Sequence, residues 1–125
     1  MIKYFLIMIL LVICEPVFAH EMSPTYLEFK PSYIDGVMQT TIELFNRRED
    51  VSYYEIEVFD KDWNNIPYAS NAKIVNIKYL DKKSIDVFVR KSDIDKVLYV
   101  CTLSRFVKSD ITKTNISSRI CSKVK

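Results

Sequence analysis

Apolar and polar residues alternate with a period of two through most of this chain. In TYLEF, Thr25, Leu27 and Phe29 share one face and Tyr26 and Glu28 the other. MQTTIELFN sets Met38, Ile42 and Leu44 against Gln39, Thr41 and Glu43, and SYYEIEVFD sets Tyr54, Ile56 and Val58 against Tyr53, Glu55 and Glu57. KSIDVFVRK sets Ile85, Val87 and Val89 against Asp86 and Arg90. A side chain repeat of two is that of a strand with one buried face. AKIVNIKYL is less regular, KVLYVCTLS is apolar on nearly both faces as a central strand is, and ISSRICSK reads as a final strand.

Turn chemistry separates these runs, in KPSYIDG, NRRED, KDWNNIPYASN, LDKK, KSDIDK and KSDITKTN. Gly36 is the one glycine of the chain, so the turns are expected to rely on Asn, Asp, Ser and Pro. Strands at this spacing predict an all-β fold, a single antiparallel β-sandwich of about seven strands.

The start of the chain breaks the pattern. Lys3 precedes an apolar run from Tyr4 to Cys14, followed by EPVFA. A spanning helix needs ~20 apolar residues, so the run is short for an anchor. Its layout is that of a secretory signal peptide, with cleavage expected after Ala19 and His20 as the new N-terminus. An uncleaved anchor is a second reading. A lipoprotein cysteine at Cys14 is a third, although Ile13 is bulky where such signals take a small residue. Residues 1–19 are thus read as a leader and 20–125 as one domain, periplasmic or secreted, with no membrane association after cleavage.

That compartment changes the meaning of the cysteines. Of three, Cys14 leaves with the leader, and Cys101 and Cys121 remain. An even number in an exported chain reads as a disulfide. Cys101 falls in the penultimate predicted strand and Cys121 in the last, so the bridge is expected to tie neighbouring strands. An antibody-type bridge across the sandwich is excluded by these positions.

The net charge of +2 is mixed along the chain, except that Lys108, Lys113, Arg119, Lys123 and Lys125 stand near the end against Asp110 alone. These read as lysines guarding a strand edge, and no nucleic-acid partner is expected.

Candidate chemistry is sparse. DKDWNN places Asp60, Asp62 and Asn64 at calcium-loop spacings, but Asn65 and Asn71 stand where that loop takes Gly and Glu, so a polar turn is expected. Trp63 and Tyr68 offer a ligand platform or, as the preferred reading, a cap on the core. His20 at a free N-terminus, with Met22 as a soft ligand, could take copper, but the chain has no second histidine to complete such a site. The expected cofactor is none, with copper as the alternative. No catalytic constellation is present, so no enzyme is expected. Asn115 opens an NIS glycosylation sequon, relevant in a eukaryotic host only.

The succession MSPTYLEFKP, MQTTIELFNRREDVSYYEIEVFD and KKSIDVFVR resembles the N-terminal Ig-like domain of periplasmic pilus-assembly chaperones, through Ser23-Pro24, the strand ending at Asn46 and the EIEVFD strand that follows. The resemblance spans residues 22 to about 104. It implies an Ig-like sandwich that binds a protein partner by β-strand addition. In that family an arginine of the first strand helps clamp the terminal carboxylate of a pilus subunit; Tyr26 stands near that place here, and the chain has one domain where the family has two. The strand expected to pair is the last, with Ile116, Ser118 and Ile120 as its alternating contacts. A structural surface or virion-associated Ig-like module is the alternative function, and a small copper-binding protein the third.

Overall fold

The computed structural model describes Ile2, residues 19–106 and residues 117–125. The rest of the leader up to Phe18, together with Asn115 and Ile116, lies outside the described residues. The alternating runs form two five-stranded sheets. The first is built on β4 (Val37–Phe45) and β8 (Lys82–Arg90), which pair antiparallel from Val37 with Arg90 to Phe45 with Lys82. β1 (Glu21–Ser23) and β3 (Lys30–Pro31) lie along the other side of β4, and β6 (Ala69–Ser70) along the far side of β8.

The second sheet has the order β2 (Tyr26–Leu27), β10 (Arg119–Val124), β9 (Tyr99–Arg105), β5 (Tyr53–Phe59), β7 (Ile74–Asn76). β9 is central, as its two apolar faces predict. Every pairing is antiparallel except that of β2 with β10. One 3-10 turn, Ile94–Lys96, precedes β9.

The inward faces meet in one core. Ile42, Leu44, Tyr54, Ile56, Val58, Ile85, Val87 and Val89 are buried there, joined by Leu27, Val75, Ile77 and Val100. Removing that apolar area from water is the main force holding the sheets together, at ~25 cal/mol per Å². The result is an all-β, Ig-like sandwich.

Two expectations need correction. Bulky residues take left-handed turn positions that glycine usually fills, with Trp63 and Leu80 both at φ 63°. Trp63 also does not cap the core. It is 51% exposed and stacks on Tyr99 from the outer surface, with ring centroids 4.5 Å apart and planes within 3°. DKDWNN is the polar turn expected: Asp60 Oδ1 accepts from the amides of Asp62 and Asn64.

Candidate functional site: the flank between β1 and β10

The first strand of an open sandwich must choose a sheet, and here it uses both. β1 pairs with β4; the chain then turns at Ser23-Pro24 and β2 pairs with β10. This crossing closes one flank of the sandwich incompletely. β2 covers the edge of β10 at Lys123 and Val124 only, where the Lys123 and Lys125 amides donate to the Thr25 and Leu27 carbonyls. Among the described residues the last strand is therefore a free edge over only part of its length, which narrows the sequence-based expectation.

Ladder phase identifies the free groups. The Ser104 amide donates to the Ser118 carbonyl and the Val124 amide to that of Leu98, so even-numbered residues of β10 bond to β9. In an antiparallel pair the intervening residues turn their peptide groups the other way. Arg119 and Cys121 thus aim theirs at the uncovered flank. A groove of about 380 Å³ adjoins this stretch at Ile120, with Met22 and Phe45 completing its apolar lining and His20, Glu43 and Lys82 among its polar lining. Lys82 and Glu43 form an ion pair at 3.0 Å.

Cys101 and Cys121 face each other in register and are joined by a disulfide. They occupy a non-hydrogen-bonded pair by the same phase, the position where opposing Cα atoms approach most closely. The bond fixes the free stretch of β10 to the central strand. On the outer face Arg119 pairs with Glu57 at 2.9 Å and lies over the Phe59 ring, so its charge is not an unopposed part of a basic tail.

Behind the groove lies a polar cluster that the sequence did not announce. His20 is 2% exposed, its ring 4.6 Å from that of Tyr54. Its Nε2 is 2.8 Å from Thr102 Oγ1 and its Nδ1 3.2 Å from Ser118 Oγ. The Thr102 hydroxyl donates to Met22 Sδ at 3.6 Å, which leaves its oxygen to accept from Nε2–H and assigns Nδ1 as acceptor from Ser118. Burial, and secondarily the charge of Arg48, bring the imidazole from 6.5 down to about 4 against an opposing interaction with the Thr102 backbone.

Arg48, 8% exposed, extends the cluster. Its Nε and Nη2 donate to the two carboxylate oxygens of Asp50 at 2.9 and 2.6 Å, and Nη1 approaches Ser104 Oγ at 3.4 Å and Ser118 Oγ at 3.5 Å. Asn46, fully buried, donates through Nδ2 to the carbonyls of Val51 and Ile77 and accepts at Oδ1 from the Arg48 amide and the Tyr54 hydroxyl. Burial pushes the Tyr54 phenol up to about 12.

The residues singled out from the sequence therefore have distinct places. Ile120 lines the groove; Ser118 points into the polar cluster; Ile116 lies outside the described residues. His20 and Met22 come together at Thr102, but both imidazole nitrogens are engaged by hydroxyls, so a copper ion would have to displace a bond to reach either. We assign no metal role to these residues. Tyr68 is part-buried and donates its hydroxyl to the Ile56 carbonyl, a packing role rather than a platform. Among the described residues no group of three His, Cys, Asp or Glu side chains gathers as metal ligands would.

This architecture, with its first strand shared between sheets and a partly free last strand, is an Ig-like β-sandwich. The chain is similar to the crystal structure of the E. coli chaperone DraB, with a TM-score of 0.62 and 16% identity over 87% of this chain. The match takes in 54% of DraB, so the chain spans about half the length of that protein. No family model matches the sequence, and no curated protein matches it by sequence. The resemblance to pilus-assembly chaperone domains read from the sequence thus holds at the level of the fold.

Proposed function

We propose that this protein is an exported, chaperone-like binding module that pairs with a protein partner by adding the free edge of β10 to the partner's sheet. The observation that carries this reading is the uncovered stretch at Arg119 and Cys121. Among the described residues no strand is paired to its outward peptide groups, and it is braced by β9 and the disulfide. Unpaired edge groups recruit another chain unless they are blocked. Bracing lowers the entropy cost of ordering the strand on binding. The neighbouring groove gives the partner segment an apolar seat at Ile120, Met22 and Phe45.

Export supports the same picture. The apolar leader is proposed to be cleaved after Ala19, and a disulfide persists in an oxidising compartment. The role is one of binding rather than catalysis.

Arg119→Pro tests the pairing. It deletes an N–H that faces the flank and is not used by β9, a position where a sheet tolerates proline. Arg119→Gln keeps the N–H and controls for the lost ion pair with Glu57. The exported protein is expected to co-purify with one defined protein, seen as a one-to-one complex by native mass spectrometry. Arg119→Gln should retain that complex and Arg119→Pro should lose it. Equal retention by both variants refutes edge pairing. A homo-oligomer with no second protein would instead favour a structural surface module.

A further inference from the structure

Residues 20–23 are attached to the two sheets by different kinds of bond. The Asn46 amide donates to the Asp81 carbonyl, in phase with the Leu44–Lys83 and Ile42–Ile85 pairs, so even-numbered residues of β4 bond to β8. Odd-numbered ones turn to the other side, where Phe45 faces Glu21 and Glu43 faces Ser23. β1 is thereby held to the first sheet by backbone bonds at Glu21 and Ser23, while Met22 turns its peptide groups towards the groove.

The attachment to the second sheet is made by side chains. The His20 imidazole reaches Thr102 on β9 and Ser118 just before β10, and Met22 Sδ receives the Thr102 hydroxyl. β1 has only three residues, so its own ladder is short. The imidazole is the one ring of this segment inserted between the sheets, packed against Tyr54.

We propose that residues 20–23 form a strap across the flank, latched by His20 to Thr102 and Ser118, which opens as a unit while both sheets stay folded. Opening widens the groove beside Arg119 and Cys121. That consequence for binding rests on the function proposed above, whereas the opening itself needs no partner and is measured without one. His20 is a positioning residue in this scheme, since it acts through the strap.

Removing a latch bond lowers the free energy of strap opening and of global unfolding alike, so a drop in stability does not distinguish a latch from an ordinary buried side chain. The size of the opening does. Exchange through a local opening exposes little surface and depends weakly on denaturant, whereas exchange through global unfolding depends on it strongly.

Native-state hydrogen exchange of the disulfide-bonded protein at fixed pH, in sub-denaturing urea, is the test. The Ser23, Glu43 and Phe45 amides are expected to exchange with a shallow urea slope, and those of Ile85 and Val100 with the full slope of unfolding. Thr102→Val removes both hydroxyl contacts at nearly constant volume. It should speed the three strap amides about tenfold with their slope still shallow, one decade being the scale of one net hydrogen bond. Two results overturn the proposal: strap amides that share the slope of Ile85 and Val100 in the wild type, or a Thr102→Val variant in which they do not change. The wild-type slopes decide the matter alone if that variant does not fold.

Discussion

The hydroxyl of Tyr54 donates to Oδ1 of Asn46, and both side chains are fully buried. Asn46 thereby ties β5 to the end of β4, and its Nδ2 ties both to Val51 and Ile77. Each of its side chain hydrogen-bonding directions is used, so the burial of this polar group is compensated.

Asn46→Ala is expected to be among the most damaging single substitutions. It strands the Val51 and Ile77 carbonyls, the Tyr54 hydroxyl and the Arg48 amide at once. An unsatisfied buried group costs ~1–3 kcal/mol, with partial relief by entering water, so a loss of about 3 kcal/mol or more is expected. Asn46→Asp should also destabilise, because it replaces the donor to two carbonyls with a carboxylate oxygen. Urea unfolding of both variants checks the two losses.

His20 makes stability depend on pH in a defined direction. In the unfolded chain its imidazole titrates near 6.5, and in the fold it is lowered to about 4. Between those values the unfolded state binds more protons, so stability falls with falling pH. The contribution is complete above 6.5 and is lost progressively towards 4. Its size between pH 7 and 4.5 is roughly 2–3 kcal/mol at most, since one pKa unit corresponds to ~1.4 kcal/mol. His20 is the only histidine, so its ring resonances report the titration directly. His20→Gln should flatten the pH dependence of the urea midpoint in this window. An imidazole that titrates near 6.5 in the folded protein would falsify the burial assigned to it.

The sandwich was legible because its core is written locally. Ile42 and Leu44, Ile56 and Val58, Val87 and Val89 each declare a buried face within a few residues. The polar cluster was not legible, because its parts meet across the whole chain: His20 reaches Thr102 and Ser118, and Arg48 reaches Ser104. No local period marks a buried histidine or arginine. The half-covered edge of β10 was hidden for a related reason. TYLEF alternates correctly, with Leu27 buried and Tyr26 exposed, but alternation does not say which sheet a strand joins. The disulfide was legible from the cysteine count and the expectation of export, which are independent of fold.

The Cys101–Cys121 bond should stabilise the protein measurably. Its partners are 20 residues apart, and closing a loop of that size limits the unfolded chain by ~3 kcal/mol. The double variant Cys101→Ser, Cys121→Ser is expected to melt at a lower temperature and to lose more than chain entropy alone, because Cys101 is fully buried and a serine hydroxyl there needs a partner. Intact mass should show two hydrogens fewer than the reduced chain. Free thiols in protein recovered from an oxidising compartment would contradict the bond.

The left-handed residues give an inverted substitution order. Glycine normally destabilises relative to alanine because it frees the unfolded chain, by roughly 0.5–1 kcal/mol. At a positive φ the balance reverses, since a Cβ there costs ~1–2 kcal/mol. Leu80 sits at φ 63° with 57% of its surface exposed, so its side chain contributes little burial in return. Leu80→Gly is therefore expected to stabilise the fold by up to about 1 kcal/mol. Its amide still donates to the Asn46 carbonyl, a bond that glycine retains. Trp63, at the same φ, adds a stack on Tyr99 that either truncation removes. Trp63→Gly and Trp63→Ala should both weaken the protein, with glycine the better tolerated by about 1 kcal/mol. Urea midpoints of the three variants test the argument; alanine outlasting glycine at position 63 would mean that the turn relaxes out of the left-handed region once the indole is gone.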